Sequence, residues 1–288
     1  MRVVIVGAGI GGLAAAVALQ RGGVETLIVG RAAEIGEVGA GLSLWSNAIN
    51  ASRELGVENK VLASDSVVGR ILSQTLTGRH VGVTDLSEIS RSAEAACVCI
   101  RRAALYQIPL EKLPSSAVRT GMRCIGFEGW AAVLEDGQRI EGDIVVGADG
   151  IFSVIRDQLD GTAEPGYAGY TCWRGIYHGQ GVLPERTSLL GVGCGSQFGP
   201  WPCGAGQFYW FLRKNSSRRG SKAKPGSPRT SAIIRDSQRS GRILQLDHRL
   251  LEVLRNWFMG SWLGKHLVER TFRELILYRV PTPQPPKA

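Results

Sequence analysis

The apolar positions open the chain as an unbroken run, RVVIV over Arg2 to Val6, and then change period. A run without alternation predicts a strand buried on both faces. GAGIGG follows, and Leu13 to Gln20 continues as an alanine-rich helix closed by Arg21-Gly22-Gly23. Glu25 to Val29 is a second strand. Strand, helix and strand within about 30 residues predict a βαβ unit with a parallel pair.

Farther on, GEVGAGLSLWSNAINASRELG leads into a helix from about Ser46, with Ser46 as its N-cap and Gly56 as its stop. Alternating segments from about 67 to 84 are strand-like. CVCI predicts a short strand, and a helix over Arg101 to Lys112 follows it, bent or ended by Pro109. Cys97 and Cys99 are read as packing residues. Residues 122 to 146 predict antiparallel strands with Asp136-Gly137 as a hairpin turn, and a helix is expected over Ile151 to Leu159. From Tyr170 to Leu212 aromatic and β-branched residues alternate with glycines, which predicts a mostly antiparallel sheet.

Beyond Lys214 the pattern fails. NSSRRGSKAKPGSPRTS is polar, basic and rich in breakers, and only 247–258 could form an amphipathic helix, with Leu250, Leu251, Leu254, Trp257 and Phe258 on one side. Charge divides at the same place. Residues 1–212 hold 17 basic against 20 acidic residues, a net of −3, whereas 213–288 hold 17 against 5, a net of +12. The net +9 of the whole chain therefore belongs to the tail, and the body is no nucleic-acid surface. The tail has no regular basic helix or aromatic stacking pattern, so nucleic acid is not the expected partner. No apolar run approaches the roughly 18 residues that span a membrane. Six scattered cysteines without CxxC spacing are read as reduced thiols of a cytoplasmic protein, with no metal site. These patterns divide the chain into 1–165, a dinucleotide-binding domain, 166–214, part of a substrate-domain sheet, and 215–288, a divergent and poorly ordered tail.

Two motifs bear chemistry. Gly7-Ala8-Gly9-Ile10-Gly11-Gly12 fits G-x-G-x-x-G between a strand and a helix. Gly7 permits the turn, Gly9 clears the approach of a pyrophosphate, and Gly12 lets helix and strand pack closely. GDIVVGADGIFSVIR, residues 142–156, ends a strand in a second glycine turn carrying Asp149-Gly150.

With that second motif the chain resembles the flavoprotein monooxygenases of the aromatic-ring hydroxylase kind, the relatives of salicylate and 4-hydroxybenzoate hydroxylase. EVGAGLSLWSNAINASRELGV, which includes Gly41, is similar to the family's loop and helix after the fingerprint. VCIRRAALYQIPL is similar to its His-Arg-x-x-Leu segment, with Arg101 in the His place and Arg102 in the Arg place. YAGYTCWRG resembles the start of its substrate sheet. The resemblance covers residues 1 to about 214. It implies an α/β fold: a Rossmann-like FAD-binding βαβ domain with a mostly antiparallel substrate sheet, its C-terminal part incomplete. It implies FAD on Gly7, Gly9 and Gly12, Arg102 at the flavin's phosphate or ribityl region, and Asp149 approaching the pyrophosphate. It also implies NAD(P)H as transient reductant and hydroxylation or epoxidation of a small aromatic or apolar molecule. Read from the residues alone, Arg102 could be a solvated helix-start charge and Asp149 a turn former. Tyr170, Trp173, Phe208, Tyr209 and Trp210 could line a substrate face or be sheet core. No catalytic base is assigned; His178 is read as structural.

The chain departs from the family in two places. Where the family holds an acid for the adenosine ribose, this chain has Gly30 followed by Arg31. After Leu212 no Gly-Asp pair stands where the family closes a last turn over the flavin. A chain that ends its family likeness there is expected to be truncated or divergent, with oxygenation impaired; a nucleotide-binding protein or a degenerate fragment, without oxygenase turnover, is the alternative.

Overall fold

A computed structural model describes residues 1–34, 40–179 and 183–216. In chain order the first elements are β1 (Arg2–Val6), α1 (Ile10–Arg21), β2 (Glu25–Val29), β3 (Gly41–Leu44), α2 (Ser46–Glu54), α3 (Glu58–Ala63) and β4 (Asp65–Val67). Then come β5 (Arg70–Thr75), β6 (His80–Asp85), α4 (Ser87–Ser92), β7 (Val98–Arg101), α5 (Arg102–Leu110), β8 (Val118–Arg119), β9 (Cys124–Glu128) and β10 (Ala131–Leu134). The remaining elements are β11 (Arg139–Glu141), β12 (Ile144–Gly147), α6 (Val154–Asp160), β13 (Tyr170–His178), β14 (Thr187–Gly193), β15 (Ser196–Pro202) and β16 (Gln207–Asn215). The possible helix over 247–258 and nearly all of the 215–288 tail lie outside the described residues.

The N-terminal sheet has the order β12-β1-β2-β8 and is parallel throughout. Its apolar runs are explained by its two covered faces. Val3, Ile5 and Ile28 pack with Leu13, Ala16 and Val17 of α1, with Tyr106 and Leu110 of α5 against the same cluster. Val4, Val6, Leu27 and Val29 pack on the other side with Cys124, Ala132, Leu134 and Ile155, from β9, β10 and α6. Burying each such side chain contributes about 1.5–3 kcal/mol, so the sheet is anchored from both faces.

Two expectations for this region need correction. The strand over 142–146 does not continue the antiparallel series: β9, β10 and β11 are antiparallel, but β12 pairs parallel with β1, Val3 opposite Ile144. Its unbroken IVV suits a parallel strand, and the hairpin at Asp136-Gly137, where Gly137 has φ +83°, concerns β10 and β11 only. Ser46 does not cap α2. Trp45 is the N-cap, and the fully buried Ser46 hydroxyl donates to the Ala95 carbonyl at 2.8 Å, a tertiary bond that outbids local capping. Pro109 sits in the last turn of α5, which ends at Leu110.

The second sheet has the order β13-β16-β15-β14-β5-β6, antiparallel except where β14 runs parallel to β5. The chain therefore supplies it twice, from 70–85 and from 170–215, so β5 and β6 pair outside the 1–165 segment in which the sequence division put them. Between this sheet and the three-stranded β3-β7-β4 lies a core of Ile71, Leu86, Ile89, Cys97, Cys99, Trp201, Cys203 and Tyr209, with Trp45 against it. No helix of the described residues is long and apolar enough to cross a membrane.

Candidate cofactor and substrate site

The first glycine turn uses its three glycines in different ways. Gly7 has φ +115° and donates its N–H to the Val29 carbonyl at 2.8 Å. A Cβ there would stand 2.2 Å from the Ala148 carbonyl oxygen, and one on Gly12 would stand 1.9 Å from that of Gly7. Both positions are closed by backbone. A Cβ on Gly9 would meet nothing within 4 Å. Gly9 is the N-cap of α1, no side chain caps the helix, and its first turn carries no acid. The first-turn N–H groups, which have no acceptor within the helix, thus face an open position at the positive end of the dipole. That is the geometry a pyrophosphate requires, and the residues present fit it.

The second turn touches the first through Ala148. Asp149 lies in it, but its carboxylate is turned to α6. One oxygen accepts the Ser153 hydroxyl at 2.5 Å, and the other accepts the Val154 N–H at 2.7 Å. Ser153 is the N-cap, its oxygen accepting the Arg156 N–H at 3.0 Å. This capping explains why α6 begins at Val154, later than the sequence predicts. Asp149 shapes the turn that backs Gly7, and its acceptor capacity is largely spent there.

The end of β2, where the resemblance puts the adenosine ribose, fits less well. Gly30 donates its N–H to the Arg119 carbonyl and accepts that of Met122, each at 2.8 Å. It offers no acceptor side chain, and Arg31 beside it is exposed. Losing a charge-assisted hydrogen bond at such a place costs about 1.5–3 kcal/mol.

α5 brings in Arg102 and one residue that the motif reading missed. Arg102 is exposed, and its N–H donates to the Ala40 carbonyl at 2.9 Å. Four residues on, the Tyr106 hydroxyl donates to the carbonyl of Ala8, inside the fingerprint, at 2.7 Å; burial pushes its phenol pKa up. The i, i+4 spacing from Arg102 was the available signal. Gly41 serves packing: a Cβ on it would stand 2.4 Å from that of Tyr209 on β16. The structure thus gathers Gly7, Gly9, Gly12, Gly30 and the Asp149 turn around one corner. Arg31 stands exposed beside Gly30, and Gly41 belongs to the seam with the second sheet.

That sheet separates the aromatic set. Tyr170 and Tyr209 share a face with Cys172, Arg174, Ile176, Phe211 and Arg213, as the β13–β16 register requires. Trp173, Phe208 and Trp210 lie on the opposite face. On the core-facing side the Arg213 guanidinium stands 3.9 Å over the Tyr170 ring and donates to Gln197 Oε1 at 3.1 Å. Gln197 is 2% exposed, and its Nε2 has no partner among the described residues; Trp201 Nε1 and Ser188 Oγ are likewise buried and unpartnered. An unsatisfied buried donor costs about 1–3 kcal/mol, and three unpaired polar atoms stand together on this core-facing side of the sheet. No sequence motif announces Gln197.

Comparison with known proteins agrees with this architecture. The family model described as FAD binding domain matches residues 1–176. Aurachin C monooxygenase/isomerase of Stigmatella aurantiaca is 37% identical over 227 residues, 76% of this chain and 58% of that protein. FAD-dependent urate hydroxylase of Mycolicibacterium vanbaalenii is 30% identical over 224 residues, 74% of this chain and 56% of that protein. The chain thus spans under three fifths of the length of these curated relatives. In fold it is similar to Klebsiella pneumoniae HpxO, solved with FAD and uric acid, with a TM-score of 0.69 and 23% identity, over 88% of this chain and 64% of that one.

Proposed function

The chain belongs to the family defined by this FAD-binding domain, and from that premise we propose that it is an FAD-dependent monooxygenase acting on a small aromatic or apolar molecule. NAD(P)H is its transient reductant, and hydroxylation or epoxidation is its reaction. The observation that carries this reading is Gly9: it is the N-cap of a helix that no side chain caps, with open space where its own side chain would stand, as at Gly11, while Gly7 and Gly12 are closed by backbone.

FAD, when bound, supplies the oxygen chemistry; the protein supplies binding, orientation and exclusion of water. In this reading Gly9 and the first turn of α1 receive the pyrophosphate, while Gly7 and Gly12 keep the turn closed behind it. Arg102 neutralises phosphate charge from α5. Asp149 keeps the second turn in place through α6. On the second sheet, Gln197 Nε2 and Trp201 Nε1 donate to acceptor atoms on a planar substrate, which accords with the ring compounds named for the relatives, urate among them.

Gly30 favours a second reading, a nucleotide-binding protein without oxygenase turnover, because the ribose end lacks its acceptor. Purification followed by visible absorption spectra, with and without added FAD, tests both. Flavin absorption that co-elutes with protein, with NAD(P)H oxidation stimulated by a ring substrate, supports the monooxygenase. Bound flavin without stimulated oxidation supports the second reading. Protein that stays colourless after incubation with FAD refutes the monooxygenase, and calorimetric titration with a non-flavin nucleotide such as NADP then decides the second reading, which no binding would refute.

A further inference from the structure

Tyr106 stands outside the fingerprint in sequence and inside it in space. Its hydroxyl reaches the Ala8 carbonyl at 2.7 Å across 98 residues of chain. Ala8 is the residue between the two glycines that shape the turn, so this bond fixes the turn from the α5 side, while Gly7 N–H to Val29 O fixes it from the sheet. Arg102 and Tyr106 are one helical turn apart, about 6 Å of rise, and lie on the same face of α5. Tyr106 and Leu110 continue that stripe into the cluster around Leu13. The start of α5 is held separately, by the Arg102 N–H on the Ala40 carbonyl. α5 is therefore tied at its first residue to the segment before β3, and one turn later to the glycine loop.

We propose that Tyr106 is a positioning residue for the cofactor: its bond to Ala8 O latches α5 onto the fingerprint turn and so sets the Arg102 guanidinium against the phosphate site. The inference rests on the reading that this loop takes FAD. It assigns Tyr106 no contact with the cofactor and no part in the chemistry. A phenol is suited to the task because its ring packs in the apolar cluster while its hydroxyl meets the loop. At Gly30 the site lacks an acceptor for the ribose, so more of the binding falls on the phosphate end, where the latch acts.

The test is FAD affinity, measured by fluorescence titration of the full chain, for wild type, Tyr106→Phe, Arg102→Ala and the double variant, with apo melting temperatures alongside. Tyr106→Phe keeps the ring and removes only the hydroxyl. The expected result is binding about five- to tenfold weaker in Tyr106→Phe, the scale of one net hydrogen bond. In the Arg102→Ala background the same change costs less than twofold, because the charge it positions is gone; such non-additivity marks residues that act as a unit. Three results overturn the proposal with the FAD reading intact: Tyr106→Phe affinity within twofold of wild type, whatever its melting temperature; an equal penalty in both backgrounds; or Arg102→Ala binding as wild type does. Wild type that takes no FAD overturns the proposal and the FAD reading together.

Discussion

Where a side chain on residue 30 would begin, the Cβ of Ala8 already stands 2.7 Å away. The two residues fit because one of them has no side chain. By the proposed reading an acid placed at 30 therefore brings an acceptor to the ribose and a collision with the fingerprint. Gly30→Glu combined with Ala8→Gly is expected to tighten FAD binding about ten- to a hundredfold, the reverse of the 1.5–3 kcal/mol lost with the acceptor. Gly30→Glu alone gains less, since Ala8 must first give way. Titration of the three proteins with FAD separates these cases. Equal affinity in all of them would mean that the adenosine ribose does not lie at this strand end.

The fingerprint glycines make opposite predictions. Gly9 has φ −83° and ψ 179°, which alanine adopts freely, and its Cβ direction is open. Gly9→Ala is expected to melt within a few degrees of wild type and to lose at least about tenfold in FAD affinity, because the methyl occupies the pyrophosphate approach. Gly12→Ala drives a methyl to 1.9 Å from the Gly7 oxygen, against backbone that cannot swing aside. It is expected to lose about 1–3 kcal/mol of stability from overpacking, visible in thermal unfolding without any cofactor. A Gly9→Ala variant that binds FAD as wild type does would remove the observation on which the proposed function rests.

These contrasts also mark what the sequence could disclose. The βαβ unit, the stop at Gly56 and the hairpin at Asp136-Gly137 are local, written in apolar runs and turn residues, and all appear where expected. The partner of β12 is not local: Ile144 to Gly147 meets β1 across more than 130 residues of chain, and only its lack of alternation hinted at a parallel strand. The capture of β5 and β6 by the second sheet has no local signal at all. Within the site the glycines were legible because backbone geometry dictates them. The direction of the Asp149 carboxylate, the reach of Tyr106 to Ala8 and the packing of Gly41 on Tyr209 are tertiary contacts, and motif spacing says nothing of them.

Asp85 gives a pH dependence that can be measured apart from function. Its carboxylate accepts the Ser87 N–H at 2.7 Å at the start of α4, and hydrogen bonds from the Ser87 N–H and then its hydroxyl hold its pKa below the ordinary carboxylate value. A depressed folded-state pKa stabilises the fold above the unfolded value, near 3.8, and that contribution is lost as pH falls through the folded value. Asp85→Asn is thus expected to be less stable than wild type at pH 7. The difference is at most about 1 kcal/mol, given the screening of an exposed group. It should shrink steadily below pH ~4. Denaturant unfolding of both proteins across this range checks it; a gap that persists unchanged at pH ~2.5 would assign the loss to something other than the charge.

Gln197 tests the sheet face proposed to receive the substrate. Its Oε1 is engaged by Arg213, while its Nε2 is buried without a partner among the described residues. Methionine matches glutamine in length and shape, so Gln197→Met keeps the packing between β15 and the core and removes both polar ends. The half-buried Arg213 can turn to water when its acceptor is lost, and the orphaned donor disappears. Stability is therefore expected to hold within about 1 kcal/mol of wild type, or to rise. Binding of planar ring ligands that carry hydrogen-bond acceptors should fall about tenfold, the value of the one donor withdrawn. Uric acid and hydroxylated benzoates are suitable probes, titrated into the flavin-loaded protein by following the flavin spectrum. A variant that loses several kcal/mol without ligand would show that Nε2 serves the fold. One that binds the probes as wild type does would move the substrate off this face of the sheet.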